Sequence, residues 1–300
     1  MIRTGKKFSK PEMSRVINGD TVLPEEEVAP EKVRLDVLMT EIFSSYNRST
    51  LQKFIESGYV KVDGELAEKP NQKFERGAYI ELELPEEVRN SDIEPEIIYE
   101  DDDVMVVNKP CGMLSEPRGQ YCPEKTLGDY GFIAHRLDRD TSGVVIIAKT
   151  EEVQLFLKKQ FKEREVSKTY VAVVLGQPRL EAARLDLPLT RNLKRPTTFL
   201  VDAKGKPAET FYKVLKSNGD LSLVELMPTT GRTHQLRVHM KYLGHPILGD
   251  RVYGDAKTTA ALGLKPERLY LHAEKLRIKL PNGGVKTFTA PVPREFKNVF

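Results

Sequence analysis

The stretch HRLDRDTSG, His135 to Gly143, runs directly into the apolar VVIIA of Val144 to Ala148. A polar, turn-forming segment that stops where a strand-length buried run begins marks a place where a sheet delivers a loop to the surface. Loops carried on rigid elements are where folds tend to place their chemistry. This loop sets a carboxylate beside side chains able to bind phosphate, so it is read as an active site and as the centre of the domain around it.

Outward from that point the signals are mostly β. Upstream, IIYEDDDVMVVNKP reads as strand, tight acidic turn, strand. DDD lacks the spaced oxygen ligands of a cation loop, so a solvated hairpin tip is expected there. Downstream, Thr150 begins a helix, EEVQLFLKKQFKER, in which Val153, Phe156, Leu157 and Phe161 form one apolar stripe. KTYVAVVLG is a strand, TFYKVLKSNGDLSLVELMP a hairpin around Asn218 and Gly219, and LRIKLPNGGVKTFTAP another. The pattern predicts an α+β domain over 96–300 with a mixed, mostly antiparallel sheet.

A second module precedes it. Residues 1–31 lack sustained periodicity and contain EEEVAPE, which predicts a mobile tail. From 32 to 84 the pattern tightens. Leu35, Leu38, Met39 and Ile42 recur at helical spacing. Ser49 with Gln52 reads as a capping box opening a second helix, with Leu51, Phe54 and Ile55 on its apolar face and Gly58 as its stop. YVKVDGELA is a hairpin around Asp63 and Gly64, and YIELEL a further strand. Residues 85–95, acidic and punctuated by Pro85 and Pro95, read as a linker.

At 300 residues, 39% hydrophobic and 30% charged, the chain can fill two domain cores. Its longest apolar runs are strand-length, and MIRTGKKFSK lacks the apolar region of a signal peptide. Cys111 and Cys122 fit neither zinc spacing nor a disulfide framework. A cytoplasmic protein with no membrane association is expected, with monomer the default. The net charge of +3 hides an uneven distribution. Lys158 to Lys216 holds 14 Lys/Arg against 6 Asp/Glu, whereas Glu81 to Asp103 holds 1 Arg against 11 Asp/Glu. A basic segment of that size suits a phosphate-bearing partner.

Two resemblances follow from these residues. VRLDVLMTEI, NRSTLQKFIESGYVKVDG and the late alternating strand resemble an S4 RNA-binding domain, a small fold of the α-L type. That resemblance implies RNA contacts from Arg34, Arg48, Lys53 and Lys61, although residues 31–80 carry 8 basic and 8 acidic groups. HRLDRDTSG, SKTYVAVV, GRTHQLRVHMKYLGHPILGD and LHAEKLRI, in that order, resemble the RluA-type pseudouridine synthases. These enzymes isomerise uridine to pseudouridine in ribosomal or transfer RNA.

The second resemblance implies the roles. Asp138 fills the aspartate slot of HRLDxxTSG and is the implied catalytic carboxylate. Asp140 falls at an unspecified position of that motif. The carboxylate could attack the ribose, attack the base or remove a proton from the sugar, and the sequence does not choose among these. Because a base inside a stem is out of reach, the target nucleotide must be extruded. Arg136 is implied to enter the vacated stack or hold a displaced phosphate. Tyr170 would stack on the uracil, its hydroxyl able to join in proton removal at carbon 5. Arg237 would pair with Asp138 and keep it ionised. His135, Lys168, Arg232 and His234 are implied RNA contacts.

His234, His239 and His245 invite a metal, but the first two are five apart, which gathers ligands on neither a helix nor a strand. No metal and no organic cofactor are expected. The expected partner is a stem-loop of rRNA, in the first place large-subunit rRNA, and/or of tRNA, and RNLKRPTTFLVDAKGKPAET resembles the corresponding loop of members acting on short stem-loops in large-subunit rRNA and in tRNA. The segment from Arg118 to Ile133 is short for the family. Two other readings stand beside the enzyme: a noncatalytic ribosome-associated RNA-binding protein on the same fold, which intact HRLD, KTY and HQLR segments argue against, and a glycosidase-like pair of Asp138 and Asp140. Carboxylates two apart in one loop are poorly placed to flank a scissile bond.

Overall fold

A computed structural model describes residues 4–6, 32–43, 46, 48–83, 94–117 and 125–300. Cys122, most of the expected tail and linker, and part of the segment from Arg118 to Ile133 lie outside the described residues. The chain divides into two compact units, Met1–Ser91 with Pro117–Glu124, and Asp92–Glu116 with Lys125–Phe300.

In the first unit, β1 (Thr4–Lys6) pairs antiparallel with a later strand, so these three residues depart from the tail expected over 1–31. β2 (Lys32–Arg34) leads into α1 (Leu35–Ile42), which packs with α2 (Arg48–Glu56). Leu35, Leu38, Met39, Leu51 and Ile55 are buried in one apolar cluster that also takes in Val60, Val62 and Ile80. β3 (Val60–Val62) turns through Asp63 and Gly64, φ 51° and 88°, into β4 (Glu65–Leu66). Two positive φ angles at the turn match the right-handed twist of a tight hairpin. β5 (Lys73–Glu75) pairs with β2, and β6 (Ile80–Leu82) lies between β1 and β3.

The capping box expected at α2 is corrected. Ser49 lies inside the helix, which begins at Arg48, and Gln52 donates 2.7 Å to the Asp36 carboxylate on α1. The Asp36 side chain is fully buried and also accepts from Arg34 and Arg48, each at 3.0 Å. A buried carboxylate needs every donor within reach, and this one draws Gln52 away from the helix terminus.

The second unit is built on one ten-stranded sheet. β7 (Glu96–Glu100) and β8 (Val104–Lys109) form the expected hairpin over the DDD turn, where Asp101 accepts from the Asp103 and Val104 N–H groups. β9 (Phe132–Ile133) flanks β10 (Ser142–Ala148), and all seven β10 residues are buried. α3 (Glu151–Glu163) follows, its first turn capped by Thr150 accepting from the Val153 N–H. Then come β11 (Ser167–Leu175), β12 (Ala182–Asp186), a separate hairpin of β13 (Leu189–Arg191) and β14 (Phe199–Val201), and the long pair β15 (Glu209–Ser217) and β16 (Leu221–Pro228). α4 (Gln235–Tyr242) and α5 (Ala256–Ala261) precede β17 (Leu271–Lys279), β18 (Val285–Thr289) and α6 (Glu295–Asn298). The insert resembling a family loop is therefore partly the β13/β14 hairpin.

The strand order is β12-β15-β16-β11-β17-β10-β8-β7, with β18 beside β17 and β9 beside β10. Every pair is antiparallel except β10 with β17. This parallel junction is short, Ser142 opposite His272 and Gly143 opposite Ala273, and it lies at the end of β10 where HRLDRDTSG enters. Gly143 has φ 117°, and a Cβ there would sit 2.2 Å from the Ala273 carbonyl oxygen. Only glycine lets the loop join the sheet at this crossing.

Candidate active site

The loop before β10 is held from beneath by a buried lysine. Lys109, at the end of β8, is fully buried and donates to the carbonyls of Pro110, Met113 and Arg139 at 3.0, 2.8 and 2.9 Å. Burial pushes its pKa down to about 7, while the three carbonyls match the three N–H bonds of an ammonium. Further along, the Ser142 hydroxyl lies 2.8 Å from His272 Nδ1 and accepts from Arg268. The loop that presents Asp138 is thus anchored on both sides.

Across from it, TTGRTHQLRVH turns into α4. His234 caps the helix at φ 56°, a left-handed conformation that costs a residue with a Cβ on the order of 1 kcal/mol. Gln235 fixes the turn with all its amide groups: Oε1 accepts from the Thr230 hydroxyl and the Arg232 N–H, and Nε2 donates to Glu209 O and Thr210 Oγ1. His239 lies 3.0 Å from both Thr210 Oγ1 and Leu187 O. Since Thr210 receives the Gln235 proton, its own O–H points to His239 Nδ1, and Nε2–H donates to Leu187. His245 donates to Leu175 O. The three histidines weighed as ligands thus serve separate partners.

From the first turn of α4, Arg237 reaches Asp138. Its Nη1 donates 3.1 Å to Asp138 Oδ2, while Nε and Nη2 grip Asp250 at 2.7 and 2.8 Å. The bidentate partner is therefore Asp250, a residue the sequence reading did not single out, and Asp138 receives the outer edge of the fork. Burial pushes the Arg237 pKa down, but Asp250 first and then Asp138 outweigh it and hold it above its ordinary value. Burial likewise pushes Asp250 up, and its bond to Arg237 brings it below the usual carboxylate range. Asp138 Oδ1 has no hydrogen-bond partner among the described residues.

Asp138, Arg136, Lys168, Tyr170, Arg232, His234 and Arg237 line one cavity of about 140 Å³. Asp140 is exposed and does not line it. Burial, then the nearby Asp138 charge, raises the Tyr170 pKa, so the phenol stays protonated at neutral pH. It offers a ring face and an O–H donor. Tyr253 lies outside the cavity lining and holds His234 from behind. Its oxygen accepts from the Phe199 N–H at 2.8 Å, so its own proton goes to His234 Nδ1, also at 2.8 Å. His234 Nε2 then carries its proton toward Asp138 Oδ2, 3.8 Å away. Burial lowers the His234 pKa against the pull of Asp138.

Other expected contacts are placed differently. His135 Nε2 accepts from the Ile146 N–H, and the ring stacks on Phe161 with centroids 4.4 Å apart. Burial, with the Lys168 charge, lowers its pKa to about 3. Its ring acts first as a strut of the loop. Arg136 is exposed and pairs with Glu116 at 3.3 Å, and Arg232 donates from Nε to Pro207 O. In the first unit Arg34 and Arg48 are held by Asp36, Lys61 pairs with Glu83 at 3.1 Å, and Lys53 is exposed.

The family described as RNA pseudouridylate synthase matches residues 103–242, and the S4 domain matches 33–79. The chain is 35% identical to ribosomal large subunit pseudouridine synthase D of Vibrio vulnificus, over 87% of each chain. It is also 35% identical to an uncharacterized RNA pseudouridine synthase of Aquifex aeolicus, over 91% of this chain and 94% of the relative. Among solved structures, human RNA pseudouridylate synthase domain containing 1 is similar at a TM-score of 0.58 and 30% identity, covering 67% of this chain and 85% of that one.

Proposed function

We propose that this chain, which belongs to the RluA family of RNA pseudouridine synthases, isomerises uridine to pseudouridine in large-subunit ribosomal RNA, with Asp138 as the catalytic carboxylate. The reaction breaks the bond from ribose to N1, turns the base, joins carbon 5 to the ribose and removes the proton from carbon 5, while N1 gains a proton, so that the formula is unchanged. One observation carries the role of Asp138. Its Oδ2 is oriented by Arg237, while Oδ1 has no partner among the described residues in a cavity that Tyr170 also lines. An oriented carboxylate with one oxygen free can attack or accept a proton. Tyr170 supplies the face for the uracil ring, and Arg136 and Arg232 flank the opening with positive charge. The second oxygen partner needed by a glycosidase pair is missing from this cavity, because Asp140 points elsewhere.

The test is Asp138→Asn, assayed by mapping pseudouridine in large-subunit rRNA and in tRNA, with RNA affinity measured in parallel. The amide removes the reactive charge and keeps the phosphate contacts. Turnover should fall below about a hundredth of wild type, with little loss of affinity. Asp140→Asn should retain most activity. Residual turnover above that level in Asp138→Asn, or equal loss in both variants, removes Asp138 from the role.

A further inference from the structure

Beside the catalytic cavity lies a groove of about 440 Å³ that shares Arg136, Lys168, Tyr170 and Arg232 with it and continues past Lys162 and Arg164. Five cations line this groove and no carboxylate does; Glu163 and Glu165, although adjacent in sequence, are not part of its wall. Four of the five, Lys162, Arg164, Lys168 and Arg232, have no acidic partner among the described residues. Lys168 is the most informative. Half buried, it donates only to Thr230 O at 3.1 Å, and burial alone brings its pKa down to about 8. A cation removed from water without a counter-charge is stabilised by any anion that enters beside it. Arg164 ends α3 in a left-handed conformation, its N–H bonded to Gln160 O and Phe161 O, which fixes its backbone and leaves the side chain exposed. The carbonyl end of a helix repels phosphate, so without Lys162 and Arg164 this end of α3 would oppose an RNA strand.

We propose that the RNA strand flanking the target uridine lies in this groove, its phosphates bound by Lys162, Arg164 and Lys168 while the extruded uridine occupies the cavity next to it. This rests on the proposed RNA substrate and names its path.

The experiment uses the full chain and an unmodified large-subunit rRNA transcript, with affinity measured across a salt series. Lys162→Gln/Arg164→Gln should weaken binding about tenfold near physiological salt and reduce the slope of log affinity against log salt by about one to one and a half, the share of two phosphates on a single strand. Lys158→Gln/Lys159→Gln removes the same charge from exposed positions of α3 outside the groove and should leave the slope at the wild-type value. Lys162→Arg/Arg164→Lys should restore both quantities. Equal losses in the two glutamine pairs would reduce the effect to net charge, and no loss in either would remove the strand from the groove. If the wild type binds the transcript but forms no pseudouridine, the proposed reaction fails while the salt slopes still decide the groove.

Discussion

Arg237 holds two carboxylates with one planar group, and the fork is divided unequally between them. Two nitrogens serve Asp250, whose side chain is fully buried, and one serves Asp138. A lysine at this position has one compact head and cannot span both. Arg237→Lys should leave Asp250 partly unsatisfied and Asp138 free to turn. We expect kcat to fall about a hundredfold with native circular dichroism, as removing one oriented charge from a reacting group does; near-normal turnover would mean that the Asp138 contact is unimportant. The pairing of Arg237 with Asp138 was an expectation from the motif. The larger role of Asp250 was not, because an aspartate thirteen residues on reads as an ordinary turn residue until α4 folds it beneath the guanidinium. It also accepts from the Val252 and Tyr253 N–H groups, so it performs the turn role as well. His135 shows what a motif does not reveal: its acceptor nitrogen is engaged with the Ile146 N–H, a structural role that it carries while lining the neighbouring groove.

At the level of elements, the loop bearing Asp138 depends on β8 through Lys109. Lys109→Met keeps the stem and leaves three carbonyls without their donor, at roughly 1–3 kcal/mol for each that water cannot reach. We expect a lower Tm and faster amide exchange at Gly112 and Thr141, whose N–H groups are bonded to Arg139 O and Asp138 O, together with reduced kcat; an unaltered Tm would show that the lysine is not the anchor. In the first unit, Asp36 joins α1 and α2. Burial pushes its pKa up, but the bonds from Arg34, Gln52 and Arg48 outweigh this and bring it to about 2. With a folded pKa below the unfolded one, its contribution is full above about pH 4 and is lost as pH falls toward 2. Because both arginines are half exposed, about 1–2 kcal/mol is expected after screening. Asp36→Asn should therefore speed amide exchange across β3 and β6 relative to wild type at pH 5, and the gap should close near pH 2; a gap independent of pH would contradict the linkage. Elements with a long, clean period were legible in the sequence: α1, α3, β10 and the three long hairpins. β2 and β5, three residues each, carry too few positions for any period to show. The start of α2 was misplaced because a tertiary partner, Asp36, claims the glutamine that local reasoning assigned to a cap.

For the whole molecule, the two units divide the labour by charge and by where the reacting groups lie. Each of the two units has apolar clusters of its own, and the residues lining the catalytic cavity all fall in the second. In the S4 unit, charge is balanced over 31–80, and two of the four expected RNA contacts are engaged with Asp36. Such a unit is expected to add phosphate contacts and to take no part in the bond rearrangement. A chain starting at Asp92 keeps Glu94, which accepts from Lys125 and Tyr130 within the catalytic unit. This shortened protein should modify a short stem-loop containing the target at a kcat within a few-fold of the full chain. On the complete large-subunit rRNA it should bind more weakly and with a shallower salt dependence, each lost phosphate contact removing somewhat less than one from the slope. Paired assays of both proteins on both RNAs across a salt series separate the two contributions. Identical slopes on the long RNA would show that the S4 unit holds no phosphate in this protein, and loss of the short-substrate reaction would show that it supports the catalytic unit itself.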